Sequence, residues 1–126
     1  TTCTSQRKPY YLDFKLARLV IDSLKYHDRT GLTNTTAFVV MPDHLHWLFS
    51  LNHSTLDKIV GGMKSWVSHQ AQQTIWQQNY HDRALRNEES LVSVSRYIVA
   101  NPLRAGLVKH IGDYPHWDAV WLTGSI

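Results

Sequence analysis

The amino-acid sequence predicts an α+β domain in which an antiparallel sheet carries helices mainly on one face. Two runs rich in β-branched and aromatic residues lie side by side in the chain, as expected for neighbouring strands. Segments with apolar residues at helical spacing lie before and after these runs. The resulting order is strand, helix, strand, strand, helix, short strand, helix, close to the split βαβ or ferredoxin-like arrangement. The 126 residues fit a single domain, residues 1–126.

The N-terminal segment predicts a strand followed by a helix. Residues 1–7 are threonine-rich and strand-like, and Pro9 stops the run. Asp13 can cap a helix that continues to about Tyr26, because apolar residues recur there at helical spacing and Gly31 follows in the loop. The sequence begins without methionine and inside the strand-like segment, so we expect the native N-terminus to lie further upstream.

The central segment predicts two strands and a second helix. The runs "TTAFVV" and "HLHWLFSL" are separated by "MPD", which indicates two neighbouring strands or a sharply bent pair. Ser54 and Asp57 resemble a capping box, and apolar residues then repeat on one helical face to about Gln73. Gly61 and Gly62 either weaken this helix or allow another backbone to come close.

The last third of the chain predicts a short strand, a loop and a third helix. The run "TIWQQNYHDRALR" is polar and aromatic without helical period, which favours the short strand and loop. Asn87 is the expected cap of the third helix, with Glu88 and Glu89 in its first turn and Pro102 at its end. The aromatic tail beyond Gly106 is expected to pack back on the domain.

Composition and charge exclude several classes of protein. Cys3 is the one cysteine, so it cannot form an internal disulfide, and this favours a reducing cytoplasm and excludes a cysteine-based zinc cluster. No run approaches the roughly 18 apolar residues of a membrane helix, and the first residues lack a signal-peptide pattern. We therefore expect a soluble, cytoplasmic protein. The net charge of +3 is a mild bias towards polyanions, and basic residues gather between Arg83 and Lys109.

His44 and His46 are the first candidate functional residues. Side chains alternate along a strand, so the two imidazoles share one face while Leu45, Trp47 and Phe49 point to the other. Two imidazoles that close could share one cation. Exposed or hydrogen-bonded strand histidines explain the pattern equally well, and two ligands alone do not make a metal site.

The segment "RYIVANPLRAG" contains a second candidate pair. Tyr97 and Asn101 are four residues apart, hence about 6 Å apart on one helical face. If that face covers the histidines, Asn101 could give a carbonyl oxygen to a metal while Tyr97 points at whatever the metal holds. From spacing alone, a core tyrosine and a polar residue before a helix-ending proline are the simpler interpretation.

A combination of three motifs resembles a known family. The motifs are "MPDHLHWLF", "WQQNYHDRALRNEESLVSVSRYIVANPLRAGLV" and "YPHWDAVW". Together they resemble the single-tyrosine HUH transposases of small insertion sequences, and in particular the REP-associated tyrosine transposases. The resemblance extends from about residue 1 to Trp121, and the combination is far more specific than any short motif.

The resemblance implies both an activity and the residues that carry it. The implied activity is metal-dependent cleavage and strand transfer of single-stranded or hairpin (REP-like) DNA through a covalent 5′-phosphotyrosine. By position, His44 and His46 bind the divalent metal, Mg²⁺ or Mn²⁺, Asn101 completes the metal site, and Tyr97 is the nucleophile. Two imidazoles and an amide suit zinc or manganese at least as well as magnesium, which prefers oxygen ligands. Family members are dimers or monomers, and both remain open here.

Further residues near these motifs are candidates for DNA contact or metal support. The arginines that could neutralise phosphates are Arg83, Arg86, Arg96 and Arg104, with Lys58 and Lys64 as possible additions. Tyr80 could stack on an unpaired base. The possible supporting or substitute ligands are Asp43, His81 and Asp82. Taken singly, each is equally well explained as a surface, loop or turn residue.

Two other functions fit the same residues. A small metallohydrolase could use the histidines to activate water, although that class normally needs further histidine or carboxylate ligands. A non-catalytic domain that binds hairpin DNA is the second alternative. A covalent protein–DNA adduct separates the transposase from both.

Overall fold

The predicted α+β class with an antiparallel sheet is confirmed. The structure, a computed structural model, describes residues 1–85 and 88–119. Over these residues the strands are β1 (Thr2–Cys3), β2 (Thr33–Met41), β3 (His44–Leu51) and β4 (Trp117–Ala119). The helices are α1 (Phe14–Arg29), α2 (Leu56–Ala71), α3 (Glu88–Val99) and α4 (Asn101–Arg104). The strands form one antiparallel sheet in the order β1-β3-β2-β4.

The "MPD" boundary is a tight hairpin turn. Residues 42–43 connect β2 to β3, and the two strands pair along their length. Met41 lies opposite His44, and Val39 lies opposite His46. Because directly opposed residues of an antiparallel pair point to the same face, both histidines share a face with these two apolar residues. The prediction of two neighbouring strands is therefore confirmed.

Helices α1 and α2 pack together on the other face of the sheet. The main core there joins α1 and α2 to Phe38 and Val40 of β2 and to Leu45 of β3. Trp47 packs against the same core and stacks on Phe49 at a ring-centroid distance of 3.9 Å. The alternation predicted for β3 is thus confirmed, because Leu45 and Trp47 face α1 and α2.

Helix α3 covers the opposite face, which carries the histidines. Ile98 of α3 is buried against Val39 and Met41 of β2. Since Val39 and Met41 are the partners of His46 and His44, α3 lies over the histidine face of the sheet. The spacing of Tyr97 and Asn101 could not establish this placement.

Helices α1 and α2 begin with side-chain caps. Asp13 accepts a hydrogen bond from the backbone N–H of Lys15 at 2.8 Å, which confirms the predicted cap of α1. The cap of α2 is Thr55, whose hydroxyl accepts from the N–H of Lys58 at 3.3 Å, so the prediction of Ser54 is wrong by one residue. Thr55 has the extended backbone that a cap requires.

The C-terminal end of α3 differs from the prediction that the helix continues to Pro102. It ends at Val99, and Pro102 lies instead in the first turn of α4, where a missing N–H costs little. Pro102 cannot donate to the carbonyl of Ile98, and the side-chain Nδ2 of Asn101 donates to it at 3.0 Å. The break therefore gives Asn101 a structural partner. The predicted cap, Asn87, lies outside the described residues.

The strand expected in residues 74–86 reduces to a single bridge. Trp76 pairs with Thr4 beside β1, and the N–H of Gln77 donates to the carbonyl of Cys3 at 2.9 Å. This is the edge where a ferredoxin-like sheet would place its last strand. The first strand is also shorter than predicted, since a 3₁₀ turn begins at Ser5. The aromatic tail packs back on the domain as expected over its described part, which ends at residue 119, and there β4 adds a strand to the other edge beside β2.

The two glycines of α2 leave open space beside the helix. A Cβ at Gly61 would meet nothing within 4 Å, and one at Gly62 would lie 3.8 Å from His27 Nε2. No backbone of another described segment lies within 4 Å of either position, so the second of the two alternatives, a close backbone approach, is wrong. Among the described helices, none is long and apolar enough to cross a membrane.

Candidate active site

The two candidate histidines form a compact, half-buried pair. Their ring centroids are 4.8 Å apart, and the ring planes are nearly perpendicular at 86°. The pair lies near the turn end of β3, where β3 is flanked by β1 and β2. Pairing with both neighbours holds the backbone of β3, so the histidine positions are fixed by the sheet.

Hydrogen bonds at Nδ1 orient both rings. Nδ1 of His44 donates to Asp43 Oδ1 at 2.7 Å. A carboxylate only accepts, so the proton is on Nδ1 and the neutral ring keeps its lone pair on Nε2. Nδ1 of His46 lies 2.8 Å from Thr1 Oγ1. If Nδ1 donates its proton to this hydroxyl, Nε2 of His46 carries a lone pair, as Nε2 of His44 does. Neither Nε2 has a hydrogen-bond partner within residues 1–85 and 88–119.

Asp43 is itself held by a cation. Arg7 Nε donates to Asp43 Oδ2 at 2.9 Å, while Oδ1 faces His44. Burial alone would raise the pKa of Asp43, but the hydrogen bonds from Arg7 and His44 outweigh it and lower the pKa. Asp43 therefore stays ionised at neutral pH and can anchor His44, as a carboxylate behind a metal-ligating histidine does.

His46 is kept neutral by its surroundings. Burial lowers its pKa from 6.5 to about 4, assisted by the charges of His44 and Arg104. A metal-ligating imidazole must be neutral, so this environment favours metal binding at physiological pH.

The depressed pKa of His46 predicts a pH-dependent stability. The folded protein keeps His46 neutral where the unfolded chain takes up a proton, so the free energy of unfolding should fall as pH drops from 6.5 to about 4. The contribution of this group is at most about 1.4 kcal/mol per pH unit, reduced by its partial exposure. Urea unfolding of the unmodified protein and of His46→Asn over this range measures it. Equal pH slopes for the two proteins would contradict the prediction.

The residues present fit a divalent metal ion. The two Nε2 atoms supply imidazole ligands of the kind that manganese and zinc accept. Among the described histidine, cysteine and acidic residues, no group of three or more could hold a metal. Further ligands would therefore have to be oxygen atoms of another kind, such as an amide, water or a bound phosphate.

Asn101 has a side-chain oxygen of the amide kind. Its Nδ2 donates to the carbonyl of Ile98, which fixes the amide because a carbonyl oxygen only accepts. The half-buried side chain thus keeps Oδ1 free of hydrogen bonds to the described residues. Asn101 begins α4 after the break, so it is not on a continuous helix with Tyr97 as the sequence predicted.

Tyr97 is the one aromatic residue of α3, and it is exposed. Its side chain is 63% exposed, although its neighbour Ile98 is buried against the sheet. The guanidinium of Arg104 lies 3.7 Å from the ring centroid of Tyr97, and Arg104 Nη2 donates to the Tyr97 carbonyl at 2.6 Å. Tyr97 is therefore an accessible phenol held by an arginine that also acts on His46. The interpretation as a core residue is wrong.

Comparison with known proteins gives one curated relative. No protein-family model matches the chain. The REP-associated tyrosine transposase of Escherichia coli (strain K12) is 30% identical over 82 residues, which cover 63% of this chain and 50% of that protein. The predicted resemblance to REP-associated tyrosine transposases is confirmed. This chain spans about half the length of the curated relative.

A solved structure shares the fold. It is described as a REP-associated tyrosine transposase bound to a REP hairpin, and it matches with a TM-score of 0.74 at 22% identity. The match covers 92% of this chain and 72% of that chain. The chain therefore shares the fold of that structure over almost its whole length.

The basic residues predicted for DNA contact fall into three groups. Arg83, Arg96 and Arg104 are exposed, and Arg104 lies beside the candidate nucleophile. Arg86 lies outside the described residues. Lys64 donates to the carbonyls of residues 77–79, so it stabilises this loop.

Other predicted residues have structural partners. The phenol of Tyr80 donates to Asp57, which raises the pKa of Tyr80 to about 12. The backbone of His81 pairs with Thr1, and no described contact joins the side chains of His81 and Asp82 to the histidine pair. Lys58 is exposed on the first turn of α2.

Sequence reasoning missed Arg7 and Thr1. Both lie in the N-terminal segment, and the pairing of β1 with β3 brings them to the histidines. A contact across about forty residues of sequence leaves no local pattern, so no motif could have indicated it.

Proposed function

We propose that this chain is a transposase-type enzyme that cleaves and rejoins single-stranded DNA through Tyr97. The supporting observation is that α3 packs on the sheet face that carries His44 and His46. An accessible phenol thus shares one side of the sheet with two imidazoles whose Nε2 atoms are free to bind. The similarity to REP-associated tyrosine transposases supports the same function.

The proposed reaction is a direct displacement at a DNA phosphate. The Tyr97 oxygen forms a bond to phosphorus and the bond from phosphorus to the 3′ oxygen breaks. The phenol proton passes to solvent or a nearby base, and the departing 3′ oxygen takes up a proton from solvent. The products are a 5′-phosphotyrosine and a free 3′-hydroxyl. The ester retains the energy of the broken bond, so a later 3′-hydroxyl can attack it and join a new strand without ATP.

The imidazoles of His44 and His46, with Oδ1 of Asn101, would hold a divalent cation, Mg²⁺ or Mn²⁺. When bound, such a cation draws charge from the scissile phosphate and makes phosphorus more electrophilic. Asp43 holds His44 in the tautomer that presents Nε2. Arg104 fixes the Tyr97 ring and adds positive charge where the DNA backbone would approach.

We propose hairpin DNA with a single-stranded flank as the partner. The fold-sharing transposase is described with a bound REP hairpin. The exposed side chains of Arg83, Arg96 and Arg104 could neutralise its phosphates. Such contacts fix the position of a nucleic acid more than its sequence.

The decisive assay uses labelled hairpin oligonucleotides with single-stranded flanks. The protein is incubated with them in manganese, in magnesium or in a chelator, and the mixture is separated under denaturing conditions. We expect a denaturant-resistant protein–DNA adduct that requires the metal. A cleaved product without any adduct would point instead to a metallohydrolase that activates water. Binding without cleavage would point to a non-catalytic hairpin-binding domain.

Removing the Asp43 carboxylate should weaken metal binding. Asp43→Ala leaves Nδ1 of His44 without its acceptor, so the ring loses its fixed orientation and tautomer. We expect a loss of about 10- to 100-fold in Mn²⁺ affinity, measured by isothermal titration calorimetry. Asp113→Ala, at an exposed position in a different segment, is the control and should bind as the unmodified protein does. Unchanged affinity in Asp43→Ala would remove Asp43 from the site.

A further inference from the structure

A groove lies between α1 and α2, on the sheet face opposite the histidine pair. Its volume is about 650 Å³. Its lining includes His27 and Tyr26 from α1 and Gly62 and Trp66 from α2. None of these residues takes part in the proposed cleavage reaction.

The inner wall of the groove contains a hydrogen-bond acceptor, Nε2 of His27, that no described residue satisfies. His27 is only 6% exposed, and its Nδ1 lies 2.7 Å from the carbonyl oxygen of Ser23. Since that oxygen only accepts, Nδ1 carries the proton and the neutral ring keeps a lone pair on Nε2. A Cβ at position 62 would lie 3.8 Å from Nε2, and His27 and Gly62 both line the groove. Nε2 has no hydrogen-bond partner in the part of the chain that the structure describes.

The outer walls are aromatic. Tyr26 is 55% exposed and Trp66 is 40% exposed, one on each helix. Large aromatic side chains are usually more deeply buried than this, and both faces of the groove offer flat apolar surface. A planar ligand could therefore stack against one or both rings.

The rim of the groove carries positive charge. Arg29 and Asp22 both lie in the lining, and the carboxylate of Asp22 is paired with Arg18 at 3.6 Å. Arg29 has no ion-pair partner among the described residues, so its guanidinium could contact an anionic group attached to the planar ligand. One deep acceptor, two aromatic surfaces and a cation at the rim match a nucleobase with its phosphate.

We propose that this groove binds an unpaired base of single-stranded DNA. The base stacks on Tyr26 and Trp66, donates an N–H to His27 Nε2, and its phosphate contacts Arg29. Every DNA base has an N–H donor, so one acceptor gives affinity without strong base preference. This inference rests on the proposed function, because it assigns a second DNA contact to a strand transferase.

The two neighbouring glycines provide a matched test. Gly62→Ala places a methyl group 3.8 Å from His27 Nε2, whereas Gly61→Ala places one where nothing lies within 4 Å. Both changes favour the helix to the same degree, so neither should impair folding. The probe is a short, fluorescein-labelled oligothymidine, and its affinity is measured by fluorescence anisotropy in a chelator.

We expect Gly62→Ala to weaken binding at least roughly threefold, the effect of one lost hydrogen bond, while Gly61→Ala binds as the unmodified protein does. Trp66→Ala should weaken binding roughly tenfold, and Trp66→Phe should restore most of it. Equal affinities of the two alanine variants would overturn the inference.

The outcome is separable from that of the proposed function. If the unmodified protein forms the covalent adduct while the two alanine variants bind equally, only the groove inference fails. If no adduct forms while Gly62→Ala binds more weakly than Gly61→Ala, the groove stands and the proposed cleavage fails.

Discussion

Tyr97→Phe should abolish the covalent protein–DNA adduct, with a loss of at least about a thousandfold in its rate of formation. The substitution removes the attacking oxygen and nothing else from the ring. The cation–π contact with Arg104, at 3.7 Å from the ring centroid, can persist with phenylalanine. Gel separation under denaturing conditions, after incubation with hairpin DNA and manganese, measures the adduct.

Hairpin binding separates a catalytic from a structural effect of Tyr97→Phe. Its side chain is 63% exposed, so the loss of one hydroxyl should leave folding and DNA affinity unchanged. Tyr80→Phe is the matched control. It also removes one phenol oxygen, but from a loop residue whose hydroxyl donates to Asp57, and adduct formation should be unchanged. An adduct that survives in Tyr97→Phe would show that another group is the nucleophile.

Loss of either histidine imidazole should remove most of the metal-dependent activity. His44→Ala and His46→Ala each delete one of the two proposed nitrogen ligands, and we expect adduct formation to fall at least about a hundredfold. Mn²⁺ binding measured by calorimetry should fall in parallel. Both histidines are half-buried at the sheet surface, so the fold should persist in each variant.

His69→Ala serves as the control for the histidine variants. His69 is exposed in the last turn of α2, the helix that packs on the opposite sheet face, and its loss should change neither readout. Full activity of His44→Ala at the same metal concentration would exclude the histidine pair as the metal site.

The features that sequence predicted well are those with local causes. Alternation along β3 placed His44 and His46 on one face, because the side-chain period of a strand is fixed by its geometry. Asp13 was predicted as a cap because its hydrogen bond spans only two residues. The hairpin at residues 42–43 followed from two strand-like runs joined by a turn.

The features that sequence missed depend on distant contacts or on small shifts of backbone. β4 forms only because β2 offers a free edge, and its short run in the tail has no strand pattern of its own. Arg7 reaches Asp43 through the pairing of β1. The break before Asn101 follows from Pro102, but only the structure shows that Pro102 begins α4.

The placement of α3 brings the candidate residues of the site to one side of the sheet. The sequence supplied two imidazoles and, some fifty residues later, a tyrosine, each with an ordinary explanation of its own. Burial of Ile98 against Val39 and Met41 brings the two segments to one side of the sheet. Only long-range packing could decide this.

Mapping the DNA-linked residue identifies the nucleophile. The adduct is trimmed with nuclease and digested with protease, and the peptides are analysed by tandem mass spectrometry. The account predicts a nucleotide joined through its 5′-phosphate to Tyr97. A nucleotide on any other residue, or one joined through a 3′-phosphate, would contradict it.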